Sequence, residues 1–402
     1  MRPLRSNGPT IVPFNTFASA LALLVGLAGC TPGPSTGQEA TARNVLLFIA
    51  DGAGTSTWSL ARTARGADLA VAGMPVGGLV DTRDVDGGIT DSAAGATAYA
   101  IGMRTFNGAI GVDASCRALL AEDSLRIRAD PASCGPQPTL LERAEAVGKA
   151  TGLITTTWVT DATPAAFAAH SPSRYMHPTI ARQMMDSGVD VLMGGGRQVF
   201  DGTGRQTAGD LLATACADVD CPRDAAELAA LDSSDRRLIG LFAADDLPAA
   251  AIRKPDLPTM TEVALDRLSK RSEGFFLMVE TEGTDTEQHA NASVEVIRDE
   301  IVQLDQAVQV ALDFARRTPG TLVVVTSDHE TGGMALTRSG GEWSLAYVQG
   351  SHTGTMVPLF AEGPGADLLS GIHDNDEVGR ILRKVLLGED ATHEGGVDDD
   401  ER

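Results

Sequence analysis

Cations are in short supply in this chain. Against 54 Asp and Glu there are 32 Lys and Arg, a formal net charge of -22 over 402 residues. Nucleic acid or an anionic membrane surface would be repelled at long range, so neither is expected as a dedicated partner. An anionic substrate would meet the same field, and bound metal ions are the natural local offset. Apolar runs are too short to span a bilayer; the segment Phe17 to Leu27 is the N-terminal one. Cysteine is sparse, with Cys30, Cys116, Cys134, Cys216 and Cys221. The absence of a C-x-x-C pair argues against zinc ligation by thiolates. Gly194-Gly195-Gly196 lacks a following Lys-Ser/Thr, so it reads as a turn rather than a phosphate cradle.

What is present describes a globular protein, 43% hydrophobic with mean hydropathy near zero, long enough for one large domain or two ordinary ones. Arg2 and Arg5, the short apolar segment and then Leu27-Ala28-Gly29-Cys30 have the order of an export signal. They resemble a bacterial lipoprotein signal, in which residues 1–29 are removed and Cys30 is lipidated. The protein is then expected to be exported and anchored by lipid, facing the periplasm or the cell surface. Residues 30–42 would form a tether, 43–388 the folded domain and 389–402 an acidic tail. Four cysteines remain, an even number suited to an oxidising compartment. Proximity suggests Cys116–Cys134 and Cys216–Cys221, but spacing alone does not fix the pairing.

Strand-length apolar runs recur, and chemistry-bearing residues follow them. Asn44 to Ala50 reads as a buried parallel strand and runs into Asp51-Gly52. Thr151 to Thr157 precedes Asp161 and Thr163, hard oxygen donors that suit magnesium. Phe275 to Glu280 precedes Asp285 and His289, which share one face of a helix at that four-residue spacing. Leu322 to Thr326 precedes Asp328-His329. His352 lies just before a further strand, Met356 to Phe360. Carboxyl ends of strands are where α/β sheets build sites. His170, His177, His373 and His393 are read as structural or solvated.

Thr90-Asp91-Ser92 opens into the small residues Ala93-Ala94-Gly95-Ala96. Such a run suits a helix packed tightly beneath a reactive group, with Ser92 in its first turn, where free N–H groups favour an anion. Residues 102–113 read as a loop leading away from Ser92, and 114–137 and 200–236 as surface excursions. Thr139-Leu140-Leu141-Glu142 and Thr259-Met260-Thr261-Glu262 read as capping boxes. Val294, Ile297, Ile301, Leu304, Val308, Leu312 and Ala315 recur at helical spacing up to Pro319-Gly320. Arg174 offers a guanidinium fork for a phosphate dianion.

In this order the motifs resemble those of the alkaline phosphatase family. They are Asp51-Gly52, Thr90-Asp91-Ser92-Ala93-Ala94, Asp161-Ala162-Thr163-Pro164-Ala165, Glu280 with Asp285 and His289, Asp328-His329-Glu330-Thr331-Gly332-Gly333, and His352-Thr353-Gly354. The resemblance implies a three-layer α/β/α sandwich with a central, mainly parallel sheet, usually in a homodimer. It implies hydrolysis of small phosphate monoesters at alkaline pH through a phosphoserine on Ser92. It implies two zinc ions, one on Asp285, His289 and His352 and one on Asp51, Asp328 and His329. One magnesium ion is implied on Asp51, Thr163 and Glu280, with Asp161 acting through water, and Arg174 would grip phosphate. Thr286 departs from relatives that carry Lys, His or Trp after the aspartate, and Glu282 adds a carboxylate near Glu280. The short stretch between Gly333 and His352 argues against a large dimerisation subdomain there. The rivals are a phosphodiesterase or sulfatase of the same superfamily and a non-catalytic phosphate-binding lipoprotein. Ser92 is not followed by Pro-x-Arg, which disfavours the sulfatase, and Ser92 with Arg174 disfavours the binding protein.

Overall fold

Alternation along a single strand divides the molecule into layers. In strand β1 (Asn44–Ala50), Val45, Leu47 and Ile49 enter one hydrophobic cluster, and Leu46, Phe48 and Ala50 enter another. Both faces of the sheet are therefore covered, as a parallel sheet requires. The computed structural model describes residues 41–65 and 68–388. The export signal, Cys30 and the acidic tail lie outside the described residues.

The other strands of this sheet are β2 (Val76–Asp81), β3 (Ala150–Trp158), β4 (Val191–Gly195), β5 (Leu238–Leu241), β6 (Phe275–Thr281), β7 (Thr321–Thr326), β8 (Val357–Glu362) and β9 (Gly371–Asp374). They form a nine-stranded sheet in the order β9-β2-β8-β7-β1-β6-β3-β4-β5. β1 pairs in parallel with β6 and β7, and only β8 runs antiparallel to its neighbours. The sandwich with a mainly parallel sheet is thus as expected.

Helices α1 (Thr55–Arg65), α2 (Ser92–Ile101), α3 (Ser115–Ala129), α4 (Leu140–Ala146), α5 (Ala162–Ala168), α6 (His177–Asp186), α7 (Leu257–Leu268), α8 (Gly283–His289), α9 (Val294–Arg317) and α10 (Asn375–Leu387) follow in chain order. α2, α4, α5, α6 and α10 supply one layer, and α1, α7 and α9 the other. α9 buries Ile297, Ile301, Leu304, Val308 and Leu312, the stripe read from its periodicity. The stretch 335–346 is an exposed two-stranded hairpin, Ala335–Ser339 with Glu342–Ala346.

Two local expectations change. Gly194 and Gly195 end β4 instead of forming a turn, and Gly196, in the left-handed conformation, caps the short helix Arg197–Phe200. α7 is capped by Asp256, whose carboxylate accepts from Thr259 N at 3.1 Å, so Thr259 lies inside the helix. An earlier acid captured the free amides because Pro258 at the helix start fixes the backbone there. The excursion 114–137 is largely helical and closed by Cys116–Cys134; Cys216–Cys221 closes the second excursion.

The capping box at α4 does form, and it reaches further. Glu142 accepts from Thr139 N at 2.9 Å and from His170 Nε2 at 2.9 Å, while His170 Nδ1 donates to Gly111 O at 2.7 Å. With both ring nitrogens donating, the imidazolium is favoured. Burial opposes the charge on each group, yet their mutual attraction wins: His170 is raised and Glu142 lowered from their ordinary values. Stabilisation from the raised histidine is full below its unfolded value and fades as pH rises through the folded one. That from the lowered glutamate is full above its unfolded value and fades as pH falls through the folded one. The pair is strongest between about pH 4.5 and 6.5. Urea unfolding of His170→Gln against wild type should show a deficit about 1 kcal/mol larger at mildly acidic than at alkaline pH. An equal deficit at both would show that the charge pair contributes nothing.

Candidate active site

Ser92 is the first residue of α2 and Asp91 is its N-cap. The Asp91 carboxylate accepts from Ala94 N at 3.0 Å and from Gly108 N at 3.1 Å. Such a cap is worth about 1 kcal/mol, and the helix end turns its positive dipole toward Ser92. The small residues allow close approach: a Cβ on Gly95 would lie 2.7 Å from Asp328 O. Tyr99 on the same buried helix donates to Ser327 O at 2.7 Å. α2 is thereby fastened beneath the loop after β7. The loop 102–113 does not lead away. It folds back so that Asn107 Oδ1 accepts from Asp91 N at 2.9 Å and Gly108 O from Arg174 N at 2.8 Å.

Two groups of ligand-type side chains flank Ser92. Asp51 from the end of β1 meets Asp328 and His329 from the end of β7, and Asp285 and His289 of α8 meet His352. In the first, His329 Nε2 lies 3.6 Å from Asp51 Oδ1, 3.4 Å from Asp328 Oδ2 and 3.2 Å from Ser92 Oγ. In the second, His289 Nε2 is 3.2 Å from Asp285 Oδ2 and 3.1 Å from His352 Nε2. The groups adjoin, because the His329 and His352 rings stack at 3.6 Å. Nδ1 of His289 bonds Gly350 O and Nδ1 of His352 bonds Thr90 O, each at 2.9 Å, which turns Nε2 inward. The pairing of His352–Thr353 with Glu330–Thr331 brings His352 to the site across the loop.

An oxygen-rich set lies beside them. Glu280 at the end of β6 is buried, and its Oε2 accepts from Thr155 Oγ1 at 2.5 Å. The Thr163 hydroxyl in α5 is near enough to ease ionisation of Glu280 but makes no hydrogen bond itself. Asp161 caps α5 and accepts from Arg174 Nη2 at 3.0 Å. Arg174 Nη1 is 3.3 Å from Asp91 Oδ2, so two carboxylates aim the guanidinium toward Ser92's cavity. Burial works against that charge, but Asp161 and Asp91 hold its pKa above the ordinary value.

The electrostatics demand a cation. Burial raises Asp51 well above the usual carboxylate range, and the charges of Asp328 and Asp285 push the same way. Burial and then Asp285 raise Asp328 to about 6. Glu280 rises to about 8, again through burial first. Burial also raises Asp285, but its bond to His289 and the nearby rings of His329 and His352 pull it down to about 2. Burial lowers His329 to about 4, keeping it neutral and ligand-ready. Asp51 Oδ1, Asp328 Oδ2 and Thr163 Oγ1 are buried without a hydrogen-bond partner. Each would cost about 1–3 kcal/mol unless a ligand satisfied it. The donors therefore fit metal ions.

This combination of ordered motifs, sheet and site has a counterpart among known proteins. The sequence pattern of the alkaline phosphatase family matches residues 42–351. The chain belongs to the alkaline phosphatase family. It is 34% identical to alkaline phosphatase 4 of Bacillus subtilis, over 87% of this chain and 90% of that protein. The solved alkaline phosphatase of the Antarctic bacterium TAB5 superposes with a TM-score of 0.75 at 30% identity, covering 86% of this chain and 98% of that one. A variant of the TAB5 enzyme solved with magnesium bound in its M3 site superposes with a TM-score of 0.73 at 31% identity, covering 86% of this chain and 98% of that one. Like its family, this protein is a metal-dependent phosphomonoesterase.

Some supporting residues were not singled out from sequence. Gln288 is buried between Asp285 and His289; it accepts from Thr57 Oγ1 and donates to Gly52 O, both at 2.8 Å, tying α8 to the Asp51 loop. Thr331 bonds both Asp285 and His329. Gln288 could have been noticed as the amide enclosed by two ligand types. Thr331 carried no separate signal. Glu282 belongs to neither group and accepts from Thr286.

Stripping metal with a chelator should leave these carboxylates facing one another. The calorimetric unfolding midpoint should fall by roughly 5 °C or more and recover on adding zinc and magnesium. In Asp328→Ala the chelator-dependent difference should shrink substantially. An unchanged midpoint in wild type would rule out metal as the cluster's stabiliser.

Proposed function

We propose that Ser92 is the nucleophile of this phosphomonoesterase, with Asp285, His289 and His352 holding one zinc ion and Asp51, Asp328 and His329 a second. The mixed nitrogen and oxygen donors suit zinc. The oxygens of Asp51, Glu280 and Thr163, with Asp161 through water, suit magnesium, and the magnesium-bearing TAB5 relative supports that assignment. When bound, the ions supply positive charge that lowers the pKa of the Ser92 hydroxyl and of the attacking water and stabilises the departing oxygen.

The chain's own residues do the rest. Arg174, steadied by Asp91 and Asp161, binds two non-bridging phosphate oxygens. Ser92 Oγ forms the bond to phosphorus while the ester oxygen leaves with its electron pair and takes a proton as the alcohol. The amides at the start of α2 face the phosphoserine. Water then attacks phosphorus, Ser92 Oγ departs and inorganic phosphate is released. Thr163 and Glu280 favour a monoesterase over a phosphodiesterase, since a third ion assists a dianionic group. The observation that carries this reading is Ser92 Oγ 3.2 Å from His329, whose ring stacks on His352 of the other group. That adjacency would place ions held by the two groups next to one another and beside Ser92, where they could supply the charge that two-metal phosphoryl transfer needs.

The paired cysteines fit an oxidising compartment, which supports export of the 43–388 domain, with the lipid on Cys30 as its anchor. A homodimer remains part of the proposal by family likeness.

With both metals restored, p-nitrophenyl phosphate should be hydrolysed at alkaline pH far faster than its bis-ester. Ser92→Ala should lose at least roughly 10³-fold in kcat. Arg174→Ala should raise KM and weaken inhibition by inorganic phosphate by roughly 10- to 100-fold. Near-full activity of Ser92→Ala would sink the covalent mechanism, and equal turnover of the bis-ester would favour a phosphodiesterase.

A further inference from the structure

Ser92 and Arg174, the groups proposed to meet phosphate, line only part of one cavity. The cavity measures about 610 Å³ and continues past them to Trp158, Tyr175, Asp245, Asp246 and Glu282. An ester whose phosphate meets Ser92 must direct its alcohol portion into this remaining space. Among the described residues Arg174 is the one Arg or Lys that lines the cavity, and it is already held by Asp91 and Asp161. Among the described residues no Arg or Lys is ion-paired with Asp245, Asp246 or Glu282. Neither metal-type group includes them.

This acidic rim is fixed to the sheet. Asp245 O accepts from Gly196 N at 2.9 Å, Thr156 O from Leu247 N at 2.9 Å, and Asp246 Oδ1 from Thr157 Oγ1 at 2.6 Å. The glycine at 195 is required for that docking, because a Cβ there would lie 2.2 Å from Asp245 O. The triple glycine thus seats the segment that carries both aspartates at the cavity. Across it, Tyr175 is 73% exposed, and Trp158 packs its ring 5.1 Å from that of His177. Aromatic faces and uncompensated carboxylates together recognise ammonium groups.

We infer that the rim formed by Asp245, Asp246 and Glu282 with Trp158 and Tyr175 is a leaving-group subsite that selects phosphate monoesters of cationic alcohols, those bearing an amine or quaternary ammonium. The inference rests on the phosphomonoesterase reading and names its preferred substrate class. A cationic alcohol also offsets the charge of its own phosphate, so such an ester approaches a chain of net charge -22 with less repulsion than a dianion with a neutral alcohol.

The test compares phosphocholine with its uncharged isostere, in which carbon replaces the ammonium nitrogen, on the full zinc- and magnesium-loaded protein. Wild type should favour phosphocholine in kcat/KM by roughly tenfold or more, and the preference should shrink as salt is added. In the Asp245→Asn/Asp246→Asn double variant the ratio should fall toward that of the two esters' intrinsic reactivities, which cancel between the proteins. Choline should also inhibit wild-type hydrolysis of p-nitrophenyl phosphate more strongly than the neutral alcohol does, a readout that needs no variant. Equal kcat/KM for the two esters in wild type, or a ratio unchanged in the double variant, would overturn the subsite. No turnover of any ester, p-nitrophenyl phosphate included, would overturn the phosphomonoesterase reading and this inference with it.

Discussion

Repulsion among buried carboxylates is the constraint on which the rest of this structure depends. Asp51, Glu280, Asp285 and Asp328 are all buried at one end of the sheet, and ionised acids in such a place cannot share it without cations. Few protein cations are there to help. Arg174 is committed to Asp91 and Asp161, and burial keeps His329 neutral. The fold therefore concentrates an electrostatic debt at the point where a phosphoryl group must react. Metal ions held there would relieve that repulsion, and the same charge would stabilise a leaving oxygen.

The architecture turns a linear sequence into that concentration. β1, β6 and β7 are adjacent and parallel, so their carboxyl ends deliver Asp51, Glu280 and Asp328-His329 side by side. α8 returns at once from β6, with Asp285 and His289 a turn apart, and Gln288 between them ties it to the Asp51 loop. α2 approaches from one covering layer, and its small residues let Ser92 come close to His329. Precision here comes from packing and from local bonds: Asp51, Glu280 and Asp328-His329 are backed by fully buried strands, and bonds at Nδ1 hold His289 and His352, so the donor atoms are preorganised before any ion binds.

The central part of this design was legible in the sequence because strand ends leave a strong signature. A buried parallel strand is a continuous apolar run, and a carboxylate or histidine directly after it breaks the pattern at a functional edge. Asp51, Glu280, Asp328 and His329 were found that way, and Asp285 with His289 by helical spacing. Residues whose role is to hold others were less visible. Gln288 and Thr331 make ordinary hydrogen bonds, and nothing in their spacing says which backbone groups they meet. The path of the loop 102–113 is hidden for the same reason, since the return of Asn107 and Gly108 to Asp91 depends on tertiary contact. Gly194-Gly195-Gly196 looked like a turn because glycine signals both conformational freedom and missing volume. At Gly195 the missing volume is what matters.

That distinction separates the two halves of the cavity. The half built by strand ends handles phosphate, and its residues are fixed by charge balance, so they leave a readable pattern across the chain. The half built by the docked segment at 243–247 handles whatever the phosphate is attached to. The segment is held by backbone contacts, and its carboxylates accept from the neutral side chains of Gln198 and Thr157 rather than from Arg or Lys. Their charge is therefore left directed at the ligand. An acidic surface that would otherwise hinder a dianionic substrate becomes useful when the alcohol carries positive charge. The chain's net charge and its catalytic demand then cease to conflict, because the ions neutralise one end of the substrate's environment and the substrate neutralises the other.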